Sequence, residues 1–506
     1  GASRIRLTLK DNQASMIEWC FLDAEGNLLR PLNADAYPGL FDEQELHPEE
    51  SSFRNSMYFD EIYHGRTAYE FVNGLTSYEN THPPLGKIFI ALGTLLFGMN
   101  PFGWRIAGTL FGIAMVPFLY LFARRISEST SVSALACVLF TFDFMHFTQT
   151  RIATIDVYIT FFVIVMYYLM YQYWSVSFYD TELKKTWLPL GACGVCMGLG
   201  VASKWTGVYA GIGLALIFFS VLYKRYREYL YAKKKPTGQT AGILHKKIIE
   251  SFAPCTKKTI LFCLVFFVAL PALIYLLSYL PFRDYSDRGL FDRMLHNQET
   301  MFSYHSGLES THDYSSPWHE WPTIKRPIWY YSRILPPKES EENLEGTANP
   351  EGAEGLEKSE SPEKSEGLRE GISAFGNPAV WWMGIPAAFY MIYLWFNKKD
   401  RTAGFLFTGY LAQYLPWFFV TRITFIYHYF PSVAFVVLMI IYSMMQWKPA
   451  IEKRSKYAFP AMALLYGTLV VVLFAMFYPV LSGQPVSPSY VAKYLRWFES
   501  WTLTAK

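Results

Sequence analysis

Net charge is scarce in this chain: 45 Lys and Arg stand against 42 Asp and Glu, a formal +3 over 506 residues. That is too little to build the basic face a nucleic acid requires, so no nucleic-acid partner is expected. Cysteine is also short. The six, at 20, 137, 193, 196, 255 and 263, sit mostly in apolar runs, which excludes a disulfide framework. Cys193 and Cys196 have the spacing of a zinc pair but lie in a Gly-rich apolar stretch without further ligands, and close helix packing through small residues is the expected role of that stretch. No internal repeat and no inverted duplication of the apolar stretches is visible, which argues against a transporter. The first residue is Gly rather than Met and no signal peptide is present, as expected of a fragment or a processed product. What the chain has in excess is apolar surface. It is 52% hydrophobic and 18% aromatic, more than one soluble core could hide, and a membrane is the expected solvent.

A spanning helix needs about 20 mostly apolar residues. Ten stretches meet this need: 102–124, 131–149, 154–174, 187–202, 206–223, 258–280, 378–396, 403–420, 424–446 and 458–481. Alternate connections are basic, at Arg124 and Arg125, Lys184 and Lys185, 224–258, Lys398 to Arg401, and Lys448 to Lys456, and the positive-inside rule makes these cytoplasmic. The remaining connections then face outward. The expected order is an external β-rich remnant (1–55), an external loop with interfacial helices (56–101), helices (102–280), an external loop (281–377), helices (378–481) and an external tail (482–506). Within the remnant, strands are expected near Arg4 to Leu9 and Ser15 to Leu22, with a turn at 24–27. The stretch 86–99 is apolar but short, which suits a helix lying at the interface. Residues 336–370 are mostly Glu, Gly, Ser, Lys and Pro and are expected to be a disordered insert.

Every distinctive polar motif falls on the outer side. Tyr58-Phe59-Asp60-Glu61-Ile62-Tyr63-His64-Gly65-Arg66 sets two adjacent carboxylates beside a histidine and an arginine, although a solvated loop capping a helix would look similar. Glu79-Asn80-Thr81-His82-Pro83-Pro84-Leu85-Gly86-Lys87 holds His82 and Lys87 at the start of the interfacial helix, stiffened by two prolines. Arg151, Lys204 and Arg422 stand singly at outer boundaries, against the positive-inside tendency. Each alone could anchor to headgroups; three at one depth suggest a shared anionic ligand such as a lipid phosphate. Asp156, five residues after Arg151, is expected to orient that arginine. The loop holding His296, His305 and His312 leads into Trp318, Trp321 and Arg326. Its histidine spacing matches no zinc pattern, so no metal is expected, and its aromatic content suits a cover over a sugar or acceptor. Tyr427-His428-Tyr429-Phe430-Pro431 opens the next span from the same side.

Taken in order, Phe59-Asp60-Glu61, Thr81 to Lys87, Gly103-Trp104-Arg105, Arg151 with Asp156, Ser203-Lys204-Trp205, Ser316-Pro317-Trp318 through Trp321-Pro322, and His428 to Pro431 resemble the protein O-mannosyltransferases, across nearly all of 57–481. The resemblance implies an all-α polytopic GT-C glycosyltransferase fold of the bacterial cytoplasmic membrane, with its site extracytoplasmic. It implies Asp60 as catalytic carboxylate with Glu61 beside it, and Arg151, Lys204 and Arg422 as ligands of a carrier phosphate. His82, Lys87, Asp156, Trp318, Trp321, Arg326 and His428 are expected to bind sugar or acceptor or to support the site. The donor would be a polyprenyl-phosphate hexose, the acceptor Ser or Thr of an exported protein, with inversion and no obligatory cofactor or metal. The MIR domain of eukaryotic members is replaced here by the acidic insert, and the family's first span is absent from this sequence. A lipid or cell-wall glycan acceptor, as in the aminoarabinose transferases, is the alternative; a flippase for lipid-linked sugar is the remote one. A dimer is one oligomeric form the sequence leaves open.

Overall fold

The computed structural model describes residues 19–23, 27–41, 51–234, 239–286, 288–309, 311–335 and 367–504. The chain divides into two units, 1–57 and 58–506. In the first, Leu22 and Leu28 form an antiparallel bridge. Asp23 closes the turn by accepting from the Asn27 backbone N–H at 2.7 Å and side-chain amide at 2.9 Å, and Trp19, Phe21 and Phe41 cluster by their rings. The strand expected at Arg4 to Leu9, most of that at Ser15 to Leu22, and residues 24–26 of the turn lie outside the described residues.

The second unit is helical. It begins with α1 (Glu61–Asn73) and α2 (Leu85–Phe97). At 13 residues α2 is about 20 Å long, too short for the hydrocarbon core. Then follow α3 (Pro101–Ser127), α4 (Thr130–Thr141), α5 (Phe144–Thr150), α6 (Asp156–Ser175), α7 (Leu183–Ser203), α8 (Gly207–Lys234), α9 (Gln239–Leu264), α10 (Leu270–Ser278) and α11 (Leu290–Ser306). A two-stranded antiparallel sheet pairs β1 (Ile328–Ile334) with β2 (Arg369–Ala374). The last helices are α12 (Pro378–Asn397), α13 (Arg401–Tyr414), α14 (Phe430–Glu452) and α15 (Ala458–Ser482).

Among the described residues, eight helices are long and apolar enough to cross a membrane: α3, α6, α7, α8, Gly242–Ser278, α12, Ile426–Glu452 and α15. The pair α4 and α5, bent by 62°, makes a ninth if it crosses as one. The tenth stretch expected from sequence, 403–420, divides into the 14-residue α13 and a 3-10 helix, Leu415–Phe419. Pro416 has no N–H to continue the α-helical ladder. Of the expected insert, residues 336–366 lie outside the described residues, while Arg369 and Glu370 open β2.

Two local devices shape the end of the helix bundle that carries the predicted site residues. The break between α4 and α5 is held by buried Asp143, which caps α5 by accepting from the Met145 and His146 N–H groups and also accepts from the Asn377 N–H at 3.0 Å. Asn377 donates back to the Phe142 carbonyl at 3.1 Å, so the break is tied to the start of α12. Glycine allows the short helix α2 to sit directly on neighbouring helix ends: a Cβ at Gly86 would lie 2.8 Å from Ile155 Cγ2, and one at Gly93 would lie 2.4 Å from the Gly103 carbonyl oxygen. Asp156 follows Ile155 and Lys204 follows Ser203, whose carbonyl also borders Gly86. Helix α2 thereby borders the chain immediately before both charged residues.

Candidate active site

The site starts at a strained residue. Phe59 has φ of 53°, a left-handed conformation that costs a bulky side chain of order 1–3 kcal/mol and persists only where its surroundings hold it. The holding contact is a stack on Tyr330 of β1, with ring centroids 4.1 Å apart, and an edge contact to Tyr427 at 5.9 Å. Tyr330 is itself fixed by the Gln149 side-chain amide, which donates to its hydroxyl at 2.8 Å.

The two adjacent carboxylates that follow have different surroundings. Glu61 is fully buried. It accepts two parallel bonds from Arg105, both at 2.7 Å, and backbone bonds from Ala153 at 2.9 Å and Tyr58 at 3.3 Å. Its oxygens are committed to pinning α1 against α3 and the α5–α6 connection. Asp60, at the start of α1, makes no side-chain hydrogen bond among the described residues. Burial, reinforced by the negative charges of Asp156 and Glu79 and opposed by Lys204, pushes its carboxyl up to about 7. A carboxylate without partners whose value lies near neutrality is suited to proton acceptance.

Lys204 closes α7 in extended conformation and is nearly buried. Its ammonium donates to both oxygens of Asp156, at 2.7 and 2.9 Å, and lies 5.8 Å from the Tyr427 ring centroid. Asp156 therefore orients Lys204, and not Arg151 as its sequence position suggested; the cap of α7 and the first residue of α6 are adjacent in space. Arg151 turns elsewhere: its guanidinium donates to the Leu481 and Ser482 carbonyls at 3.3 and 3.1 Å, capping the C-terminus of α15, where a cation is favoured. Arg422 forms no ion pair among the described residues; it donates to the Ile423 carbonyl at 3.4 Å.

Lys204 and Arg422 line one half-open cavity of about 280 Å³ together with His82, Trp205, Tyr209 and Trp417. Arg151 does not line it. Below the cavity a buried knot fixes the 74–84 loop. Lys87 is fully buried and donates to the Glu79 carboxylate and to the Glu79 and His82 carbonyls at 2.9 and 3.0 Å, which uses all three of its protons. Burial alone would raise Glu79, yet Lys87 and His82 hold it well below the usual carboxylate range. His82 Nδ1 lies 3.1 Å from Glu79 Oε1. Three imidazoles meet edge to face, His64 to His82 at 5.9 Å and His82 to His305 at 5.5 Å, and burial lowers His64 to about 3 and His305 to about 4.

The remaining expected residues frame the site. Trp321 is fully buried, donates its indole N–H to Ser316, and stacks on His428, whose ring also contacts Trp417 at 4.3 Å. Trp318 packs on Tyr414 and Phe418. Arg326 donates to the Ser315 carbonyl at 2.9 Å and holds that loop. Arg105 and Glu79 were not assigned roles from sequence. Both occur inside recognised motifs, and the signal that marks them, a buried charge needing a partner, exists only once the chain is folded.

Residues 50–285 match the family of dolichyl-phosphate-mannose-protein mannosyltransferases, and residues 290–501 match the C-terminal four TMM region of protein-O-mannosyltransferase. The chain is 27% identical over 468 residues to the polyprenol-phosphate-mannose–protein mannosyltransferase of Mycobacterium tuberculosis, covering 85% of this chain and 84% of that one. The Corynebacterium glutamicum protein of the same name is 25% identical, over 83% of this chain and 81% of its own length. In fold it resembles the Saccharomyces cerevisiae protein O-mannosyltransferase Pmt1–Pmt2 complex bound to the sugar donor, with a TM-score of 0.68 at 12% identity, covering 88% and 89% of the two chains. With its set of membrane-crossing helices and matches running almost from end to end, this chain is an integral membrane glycosyltransferase of the protein O-mannosyltransferase family.

Proposed function

We propose that the chain transfers mannose from a polyprenyl-phosphate carrier to Ser or Thr hydroxyls of exported proteins, on the extracytoplasmic side. The observation that carries this reading is the contrast within one loop: Glu61 is saturated by Arg105 and two backbone N–H groups, whereas Asp60 makes no side-chain hydrogen bond among the described residues, titrates near neutrality and feels the charge of Lys204. The Lys204 and Arg422 cavity is the place for the carrier phosphate. Phe302 and Phe419 line it and are exposed, as a lipid tail entering sideways would require. Arg151 donates to the α15 terminus and stands outside the lining of this cavity.

In the reaction Asp60 accepts the acceptor hydroxyl proton as that oxygen attacks the anomeric carbon from the face opposite the phosphate. The bond to the phosphate oxygen breaks, the configuration inverts, and the charge left on the phosphate is met by Lys204 and Arg422. Phosphate leaves readily, so the residues present need no cofactor to complete the step. The assigned side follows from the basic ends of α3 (Arg124, Arg125) and α8 (Lys233, Lys234), which lie opposite the site along their helices and are cytoplasmic by the positive-inside rule. The test is Asp60→Asn in purified protein with polyprenyl-phosphate mannose and an acceptor peptide. Turnover is expected to fall at least 1000-fold with donor binding retained, and wild-type turnover would reject the assignment.

A further inference from the structure

His82 is fixed in one tautomer by the groups behind it. Glu79 is ionised and already accepts from Lys87 and from the Thr81 hydroxyl, so it can only accept from His82. The imidazole proton is therefore on Nδ1, shared between Glu79 Oε1 at 3.1 Å and Thr81 Oγ1 at 3.0 Å. Nε2 has no protein partner among the described residues, and His82 lines the cavity that also holds Lys204 and Arg422. Burial lowers His82, with Lys204 and Lys87 acting in the same direction and Glu79 opposing, so the ring is neutral at working pH and Nε2 presents a lone pair. His64 and His305, packed on its two sides, are lowered as well.

A lone pair in a cavity built for an anion repels phosphate oxygens and attracts a hydroxyl. The nearest hydroxyls to a phosphate held by Lys204 and Arg422 are those of the sugar it carries. Resting on the donor proposed above, we infer that His82 Nε2 accepts a hydrogen bond from a hydroxyl of the transferred sugar. His82 would then select the donor by its hydroxyl pattern, while Glu79 and Thr81 act as positioning residues that hold the tautomer.

The test is a set of polyprenyl-phosphate mannose donors, each lacking one sugar hydroxyl, assayed with the wild type and with His82→Asn. Asparagine can keep the donor to Glu79 but has nothing at the position of Nε2. One deoxy donor is expected to lose about 10–100-fold in kcat/KM with the wild type, and that loss should shrink to less than about threefold in His82→Asn while the losses at other positions persist. A role limited to holding the loop would lower all donors alike and leave the deoxy losses unchanged, which overturns the inference. So would a wild type that tolerates every deoxy donor, a result that requires no variant to fold. Normal transfer with no coupling to His82 removes this inference alone. Absence of transfer from any polyprenyl-phosphate sugar removes the proposed activity and this inference together.

Discussion

Two neighbouring carboxylates with opposite surroundings give a pH dependence that can be predicted in sign. Asp60 is raised to about 7 by burial and by Asp156 and Glu79, and only its ionised form can take a proton. The initial rate at saturating donor should therefore fall about tenfold per unit as pH drops below about 7 and level off above it. The donor phosphodiester has no ionisation in that range, and His64 and His305 lie near 3 and 4, so neither of these histidines shapes the profile between pH 5 and 8. A flat profile there contradicts its role as base. By residue type alone Asp60 and Glu61 are an equivalent pair, which only the family resemblance told apart. What separates them is Arg105, 44 residues away, together with an N–H group at Ala153, and no local pattern encodes that meeting. The same holds for Lys204 and Asp156, 48 residues apart: each read as a single charge at a boundary, and folding made them one pair.

At the scale of elements, hydrophobic length located the spans well, since about 20 apolar residues have few alternatives to a crossing helix. Breaks within spans were less visible. The stretch 131–149 reads as continuous, and the bend in it depends on Asp143 meeting Asn377. The Gly-rich stretch was legible as a packing surface: Gly191, Gly194 and Gly198 of α7 face Phe262, Phe266 and Pro271, and a Cβ at Gly194 would lie 2.3 Å from the Phe266 carbonyl oxygen. That obstacle is backbone and lies in a π-helical turn, Val265–Ala269, which has little freedom to yield. Gly194→Leu should destabilise the protein by at least about 1–3 kcal/mol, seen as a lower midpoint of thermal unfolding in detergent. Gly211→Ala is the control. Its Cβ would meet the flexible end of Met197, at 3.2 Å, and alanine is the better helix former by about 1 kcal/mol, so its midpoint should hold or rise. Equal losses in both variants would mean that the backbone obstacle at Phe266 is not what sets the cost at Gly194, since helix propensity alone favours both replacements.

For the whole molecule, sidedness follows from which ends of the helices carry charge and of what kind. Lys204 and Arg422 belong to the cavity, and the basic residues that close α3 and α8 gather at the opposite helix ends. α8 illustrates the gradient: it leaves Lys204 through a glycine-rich apolar first half and ends on Lys233 and Lys234, about 40 Å away at 1.5 Å per residue. That is more than the roughly 30 Å of hydrocarbon a helix must cross, so α8 is long enough for its two ends to contact different aqueous compartments. Ile62 on α1 and Lys233 on α8 are both exposed and can each be replaced by cysteine in a chain whose six native cysteines have been changed to serine or alanine. A membrane-impermeant maleimide should label Ile62→Cys in intact cells and label Lys233→Cys only after permeabilisation. The reverse pattern would put Asp60 on the cytoplasmic side, where an exported acceptor never meets it. Labelling of both from outside would mean that α8 does not cross at all.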